Sequence, residues 1–455
     1  MKGKKILFAT FPADGHVNPL TGLAVYLKQQ GYDMRWYTGQ RYKQKIEKLG
    51  IQYYPLQKAI DFSAGEPDTV FPERKKYNSQ IAKLKFNIKN AFVLRGPEFY
   101  EDIQEINRSF DFDLLVADVA FTGIPFVKQK LNKPVIAISV FPLVETSKDL
   151  PPNGLAITPS YTTAGRLKQK LLRFIADRFI FRDSKKLVEQ LYRQYNMKPA
   201  KGNVFDMICR EADLLLQSGT PGFEYHCSDL GKNVRFIGPL LPYTSHPCNS
   251  WQLPFQYRAY TKKVLVTQGT VETDVEKIIV PTLQAFRNTD VLVIATTGGS
   301  QTKELRNRFP DANFLIEDFI PFNEVMPISN AYITNGGYGG VLLGIQNKLP
   351  MVVAGVHEGK NEINARIGYF ELGINLKTEK PSPGKIKMAV ETIFTNKQYK
   401  KNVEKLANEF NEYQPIQLFE KYINELLQNK ELSVKNSFVT LIRRHEKEAN
   451  TSIAV

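Results

Sequence analysis

The sequence predicts an α/β protein made of two parallel-sheet halves, and three observations carry that prediction. Short apolar runs alternate with helix-like segments along the 455 residues. The alternation lapses once, across a stretch holding Pro239, Pro242, Pro247 and Pro254, and then restarts. The chain is also too long for one ordinary hydrophobic core, so two domains are expected. The resulting division is a first half at 1–242, a linker at 243–261, a second half at 262–428 and a basic tail at 429–455.

The elements follow in order. Residues 5–11 form a continuous apolar strand, then comes a polar turn, then a helix over about 19–30 that Gly31 stops. Residues 34–38 read as a second strand, and 114–119, 135–140, 214–217 and 234–237 as further short strands. In the second half, K-K-V-L-V-T-Q-G-T at 262–270 is a strand with its turn. More strands are expected at 291–295, 331–334 and 351–353, and helices at about 275–286, 361–370 and 385–395. Each half starts with a strand and a glycine-containing turn, with no sequence repeat between them.

Composition bounds the function classes. Hydrophobic residues at 42% and charged residues at 24% are those of a globular protein. Lysine and arginine number 61 against 46 acids, a formal charge of +15. That charge suits an anionic ligand: a nucleotide, a nucleic acid or a membrane surface. The lysines are spread along the chain with no compact basic and aromatic run, so no nucleic acid is expected as partner. Cys209, Cys227 and Cys248 form no CxxC pair and no disulfide framework, which fits a reducing cytoplasm. The basic start M-K-G-K-K precedes an apolar run, but Pro12, Asp14 and His16 interrupt it, so it reads as a buried first strand rather than a secretory leader. No run of about 18 apolar residues exists, so no spanning helix is expected. The tail segment K-N-S-F-V-T-L-I-R-R-H-E-K-E reads as a short amphipathic helix with a basic face, open to packing on the body or to membrane contact.

Two motifs carry chemistry. In A-Y-I-T-N-G-G-Y-G-G-V-L-L-G at 331–344, a short strand meets Gly336, Gly337, Gly339 and Gly340 and then a helix. Glycines allow positive φ and close approach of a ligand, and free N–H groups at a helix start hold an anion, most often a phosphate. The bare alternative is a glycine-rich turn with no ligand. F-P-A-D-G-H-V-N-P places His16 just after the first strand, at the carboxyl end of a parallel sheet, where ligands bind in such folds. A histidine there can act as a general base if a carboxylate holds its other ring nitrogen. Asp118, at the end of the apolar run L-L-V-A-D, is the candidate. The plainer readings are a turn histidine bonded to backbone and a capping aspartate.

In order and spacing, these segments resemble glycosyltransferase family 1, the UDP-glycosyltransferase superfamily. The resemblance rests on G-H-V-N-P at 15–19, Q-G-T at 268–270, F-I-P-F at 319–322, T-N-G-G-Y-G-G at 334–340, L-P-M-V-V at 349–353 and N-A at 364–365. It spans about residues 4–425. It implies the GT-B fold, two Rossmann-like doubly wound parallel-sheet domains facing across a cleft. The first would bind the acceptor and the second the nucleotide sugar, a co-substrate, with no cofactor and no metal. By the same resemblance His16 deprotonates an acceptor hydroxyl, Asp118 supports it, and transfer inverts the anomeric centre. Gln268, Gly269, Thr270, Phe319, Ile320, Asn335, Gly336, Gly337, Gly339 and Gly340 would meet the nucleotide and its diphosphate.

The departures shape the substrate. The family's histidine is Asn335 here, its serine is Gly340, and its ribose-binding glutamate is Leu343. Asparagine donates a hydrogen bond but never a charge, and leucine accepts nothing from a ribose hydroxyl. A deoxyribose nucleotide (dTDP) is therefore a fitting donor as well as UDP. The family's Asp-Gln pair on the sugar is replaced within G-V-H-E-G-K-N-E, with Glu358 first and Asn361 second as candidates for sugar contacts. A changed grip suits a 6-deoxyhexose such as rhamnose, and the chain is similar to bacterial flavonoid rhamnosyl- and glucosyltransferases. Asp14, Phe121 and Phe141, with Phe62, Phe71, Phe86 and Phe92 nearby, are the candidate lining for a small phenolic or lipophilic acceptor. A monomer or weak dimer is expected. The alternatives are an epimerase or hydrolase of nucleotide sugars on the same fold, or a non-catalytic nucleotide-sugar binder.

Overall fold

Two parallel sheets organise the chain. The computed structural model describes residues 3–65, 67–199, 202–243, 251–269 and 272–428. The first sheet holds β1 Lys5–Ala9, β2 Asp33–Thr38, β3 Gln52–Pro55, β4 Leu114–Asp118, β5 Val135–Ser139, β6 Leu214–Ser218 and β7 Val234–Gly238, in the order β3-β2-β1-β4-β5-β6-β7. The second holds β8 Lys262–Thr267, β9 Val291–Thr296, β10 Phe314–Glu317, β11 Ala331–Thr334, β12 Met351–Val353 and β13 Gly373–Asn375, in the order β10-β9-β8-β11-β12-β13. Every pairing between these strands is parallel, and helices cover both faces, as the apolar runs predict. Strands β4, β5 and β9 are buried at every residue, which is why they read as unbroken apolar runs.

Strands β3, β10 and β13 escape the sequence reading. All lie at sheet edges, and they are short. An edge strand needs less apolar surface, and the signal falls with it.

Strand order reverses between β1 and β4 in the first sheet, where Ala9 pairs with Ala117. It reverses again between β8 and β11 in the second, where Thr334 pairs with Thr267. In such sheets the loops leaving a reversal diverge to opposite faces and open a crevice at the carboxyl ends.

The division of the chain needs correction at its end. Residues 415–428, assigned to the second half, form a helix whose Phe419, Ile423 and Leu427 pack into the first half's core with Ile6, Phe8 and Val116. Tyr26 and Tyr32 donate to Glu420 and Asn424 on its flank. Spacing of four residues identifies an apolar helix face, yet says nothing about which core receives it. The expected linker is anchored at both ends: the N–H of Tyr243 donates to Thr21 in the first half, and Trp251, Leu253 and Tyr257 pack on the second. The expected tail, 429–455, lies outside the described residues.

Candidate active site at two switch points

The first reversal brings His16 and Asp118 together. The strand β1 ends at Ala9, the chain turns through Phe11 and Pro12, and a single helical turn, Asp14–Val17, carries His16. Asp118 is the last residue of β4 next door and is fully buried. Its Oδ1 lies 2.7 Å from His16 Nδ1 and accepts from the Ala120 N–H at 2.8 Å, and its Oδ2 accepts from the Phe11 N–H at 2.6 Å. A buried carboxylate needs such donors to offset its lost hydration. With Nδ1–H given to Asp118, a neutral imidazole keeps its free lone pair on Nε2. The His16 side chain is 19% exposed, so the pair combines a buried anchor with an accessible ring.

Aromatic rings surround that histidine. Phe11 and Phe141 stand edge-on to it, at 5.5 and 6.0 Å between ring centroids. Phe11 is itself stacked between Phe62 at 5.1 Å and Phe92 at 5.8 Å, and Phe71 and Phe86 extend the run. The acceptor expectations divide here. Phe141 borders His16. Phe121 does not: it is fully buried against Phe99 at 4.6 Å and belongs to the core. Its place after Asp118 suggested a loop, but the chain turns inward there. The Asp14 carboxylate is held by Arg41 at 3.6 Å. Phe11, which the sequence reading passed over, sits inside the same F-P-A-D-G-H motif that marked His16.

The second reversal is built of backbone. The helix Tyr338–Gln346 starts two residues after a positive-φ glycine, Gly336, and Gly337 caps it without a side-chain bond. The N–H groups of Tyr338, Gly339 and Gly340 have no partner within the helix, the condition for anion binding. A methyl group on Gly336 would collide with Asn364 Oδ1, and one on Gly355 with the Asn335 carbonyl. At Gly339 a methyl would meet nothing within 4 Å. Asn335 crosses to the neighbouring turn, where its amide donates to the Gln268 carbonyl, and its Oδ1 accepts from the Gly337 N–H at 3.3 Å. Asn364, fully buried, donates to the carbonyls of Asn335 and Gly355 at 3.3 and 2.9 Å.

Other expected nucleotide contacts sort differently. The Gln268 side chain is committed to the fold: its oxygen accepts from Ile278 and Ile279 and its amide donates to the Asp274 carbonyl. Only its backbone faces the turn. Gly269 has φ +81°. Thr270 lies outside the described residues. Phe319 is 77% exposed beside Gly299, whereas Ile320 packs into the core. In the expected sugar loop, Glu358 is exposed at φ +55° and pairs with Lys360. Asn361 instead donates to the Gly154 carbonyl of the first half at 3.0 Å. Glu379 closes the loop from below: burial works against its charge, but the N–H groups of Val356 and His357 hold its carboxyl below the usual range.

The two switch points are physically joined. Gln217, at the end of β6, donates to the Phe141 carbonyl at 3.0 Å and lies 3.3 Å from the Tyr338 hydroxyl. Tyr338 donates in turn to the Ser218 carbonyl at 2.7 Å, and burial pushes its hydroxyl pKa well up, so it stays a neutral donor. Thus His16 touches Phe141, Phe141 meets Gln217, and Gln217 meets the first residue of the glycine-rich helix. A buried pair, Arg366 with Glu224 at 2.9 Å, and the Glu362 carboxylate accepting from Gly154 and Ala156 lock the halves nearby. Tyr338 was legible only as part of the glycine motif, and no local pattern pointed to Gln217.

Known proteins resemble the chain over most of its length. The family described as Erythromycin biosynthesis protein CIII-like, C-terminal domain, matches residues 281–423. The 4'-demethylrebeccamycin synthase of Lentzea aerocolonigenes is 32% identical over 411 residues, 90% of this chain and 96% of that protein. UDP-glucosyltransferase 1 of Beauveria bassiana is 28% identical over 439 residues, 92% of this chain and 94% of that protein. Among solved structures, the calicheamicin glycosyltransferase CalG4 shares the fold with a TM-score of 0.74 at 18% identity, over 94% of this chain and 99% of its own.

Proposed function

The chain belongs to glycosyltransferase family 1, and we propose that it transfers a hexose, with inversion and without a metal, to a hydroxyl of a small aromatic or lipophilic acceptor such as a flavonoid. Its relatives make it a glycosyltransferase that uses a nucleotide-sugar donor, which sets aside the epimerase, hydrolase and non-catalytic readings. The observation that carries the finer reading is the His16–Asp118 pair, tied through Phe141 and Gln217 to the start of the helix Tyr338–Gln346.

In this mechanism His16 Nε2 takes the proton of the acceptor hydroxyl. The oxygen attacks the anomeric carbon from the face opposite the diphosphate, and the bond from that carbon to the diphosphate oxygen breaks. Asp118 holds the ring in the reactive tautomer and stabilises the imidazolium that forms. The departing nucleoside diphosphate gains negative charge where the N–H groups of Tyr338, Gly339 and Gly340 already point, so little reorganisation is needed. The rings of Phe11, Phe62, Phe92 and Phe141 give a flat apolar acceptor its surface.

Two donor classes are in view, each with its own support. Leu343, lacking a carboxylate for a ribose hydroxyl, favours a deoxyribose nucleotide such as dTDP-rhamnose. The names of several relatives favour UDP-glucose. The deciding experiment incubates the protein with a flavonol and a panel of UDP- and dTDP-sugars, with and without a chelator. Products are identified by mass spectrometry and their anomeric configuration by NMR. The expected result is a new glycoside of inverted configuration that forms equally well with chelator. Donor hydrolysis without glycoside, retention of configuration, or a chelator-sensitive reaction would each sink part of the proposal.

A further inference from the structure

An exposed helical face of the first half carries the next inference. The helix Thr163–Ile175 runs through a wider turn, Ala176–Ile180, into the helix Arg182–Gln194. Its inner side is fixed: Gln169 bonds to Ser160 and Asp149, Arg173 bonds to the Leu150 carbonyl, and Ala176, Val188 and Tyr192 are buried. The outer side is apolar and bare. Leu167, Leu171, Phe174, Ile175 and Phe179 are 41–69% exposed, and their spacing puts the first four on one helix face. Single exposed apolar residues are ordinary, but five large ones in a row along one helix are not.

What surrounds the stripe narrows its partner. Lys168 and Lys170 flank it on opposite sides, and Arg178 and Arg182 continue along the helix. Among the described residues none of these four has an ion-pair partner. The helix Gln80–Asn87, joined to the start of Arg182–Gln194 by Lys85 with Asp183 at 3.9 Å, exposes Ile81 and Leu84 with Lys75, Lys76 and Lys83 nearby. A second copy docked face to face would bring these cations against their equivalents, on a chain already at +15. A surface that is apolar within and anionic at its boundary meets both features at once.

We propose that this face docks on an anionic lipid bilayer, with the apolar stripe at the level of the acyl-chain boundary and the lysines and arginines among the headgroups. The mode is peripheral: among the described residues no helix is long and apolar enough to cross a membrane. The proposal stands on exposure and charge, and does not depend on which sugar or acceptor the enzyme uses.

The test is cosedimentation of the full chain with phosphatidylglycerol-rich vesicles and with pure phosphatidylcholine vesicles. Binding to the first only, falling at high salt, is expected. A triple variant, Leu171→Glu, Phe174→Glu and Phe179→Glu, should weaken it at least about tenfold, and Lys168→Glu with Lys170→Glu should do the same. Both should keep the wild-type melting temperature and transfer to a water-soluble acceptor. No binding to either vesicle overturns the proposal. So does binding that the triple variant leaves unchanged, which would assign it to another part of the chain. A wild type that is dimeric in solution and made monomeric by the triple variant also overturns it, in favour of a self-association surface.

Discussion

At the end of β1 the molecule offers side chains to a ligand, and at the end of β11 it offers backbone. Both places arise from the same event, a reversal of strand order in a parallel sheet. The first spends that crevice on an imidazole held by a fully buried carboxylate. The second spends it on a helix start stripped of side chains at Gly336, Gly337, Gly339 and Gly340. A proton must be taken at one atom, so the first site needs a defined residue. Charge on a diphosphate is spread over several oxygens, so the second needs several fixed dipoles and room to approach them. The difference predicts opposite sensitivities: the first site to a change of functional group, the second to a change of shape.

The largest effect expected is at His16. Replacing it by alanine should lower kcat by about 10²–10⁴-fold, the usual worth of a general base. The donor KM should stay near the wild type, because the donor contacts proposed above lie on the other half. Since the ring is partly exposed and Asp118 keeps its two backbone donors, the melting temperature should change little. Initial rates by chromatography and a thermal melt measure both. A loss below about tenfold would mean the proton leaves by another route, and the contrast between the sites would fail at its first term.

Next in size is Gly336→Ala. The backbone there has φ +87°, and a methyl would strike Asn364 Oδ1, which belongs to a fully buried side chain. Destabilisation of about 1–3 kcal/mol is expected from the forced repacking. Loss of donor affinity should accompany it, because Asn364 also holds the Asn335 and Gly355 carbonyls. Urea unfolding and titration with a nucleoside diphosphate separate the two effects. If stability were untouched, the tight approach at Gly336 would have no energetic meaning.

These two sites also differ in how far the sequence exposed them. His16 and Asp118 were legible because one lies in the turn just after an apolar run and the other ends one, and β1 and β4 adjoin in a doubly wound sheet. The glycines were legible as a tight turn because four in five positions after a strand lead straight into a helix, which the structure shows. Phe121 misled because sequence proximity to Asp118 does not fix side-chain direction, and the ring turns into the core beside Phe99. Gln268 misled in a subtler way: its place in the turn is right, but its side chain is taken up by the start of the next helix. The Gln217–Tyr338 contact, 121 residues apart, and the return of Phe419 to the first core are tertiary events. No local period records which surfaces will meet across the two halves.

Gly339→Ala sharpens the comparison, because it changes shape without strain. The site is open around a methyl, and φ there is not positive. Stability should hold or rise slightly, as alanine is the better helix former by up to about 1 kcal/mol. Donor KM should nonetheless rise about tenfold, or about 1.4 kcal/mol, because the methyl stands beside the N–H groups proposed to receive the diphosphate. An unchanged KM would move the diphosphate away from this first turn.

The smallest effect tests a residue at the border between the two logics. Leu343 lies on the glycine-rich helix, past its backbone donors, at the place where the family carries a ribose-binding glutamate. It is half-buried at the edge of the second core. Leu343→Glu adds a side-chain acceptor to a site otherwise made of backbone. A charged hydrogen bond to a 2'-hydroxyl is worth about 1.5 kcal/mol, and only UDP-sugars carry that hydroxyl. The ratio of kcat/KM for UDP-glucose over dTDP-glucose should therefore rise about tenfold, with kcat for either donor nearly constant. Using the same sugar on both nucleotides removes any contribution from the Glu358 loop. A ratio that does not move would show that the ribose is gripped elsewhere, and that the second switch point recognises its nucleotide through backbone and ring contacts alone, with Phe319 as the exposed ring at hand.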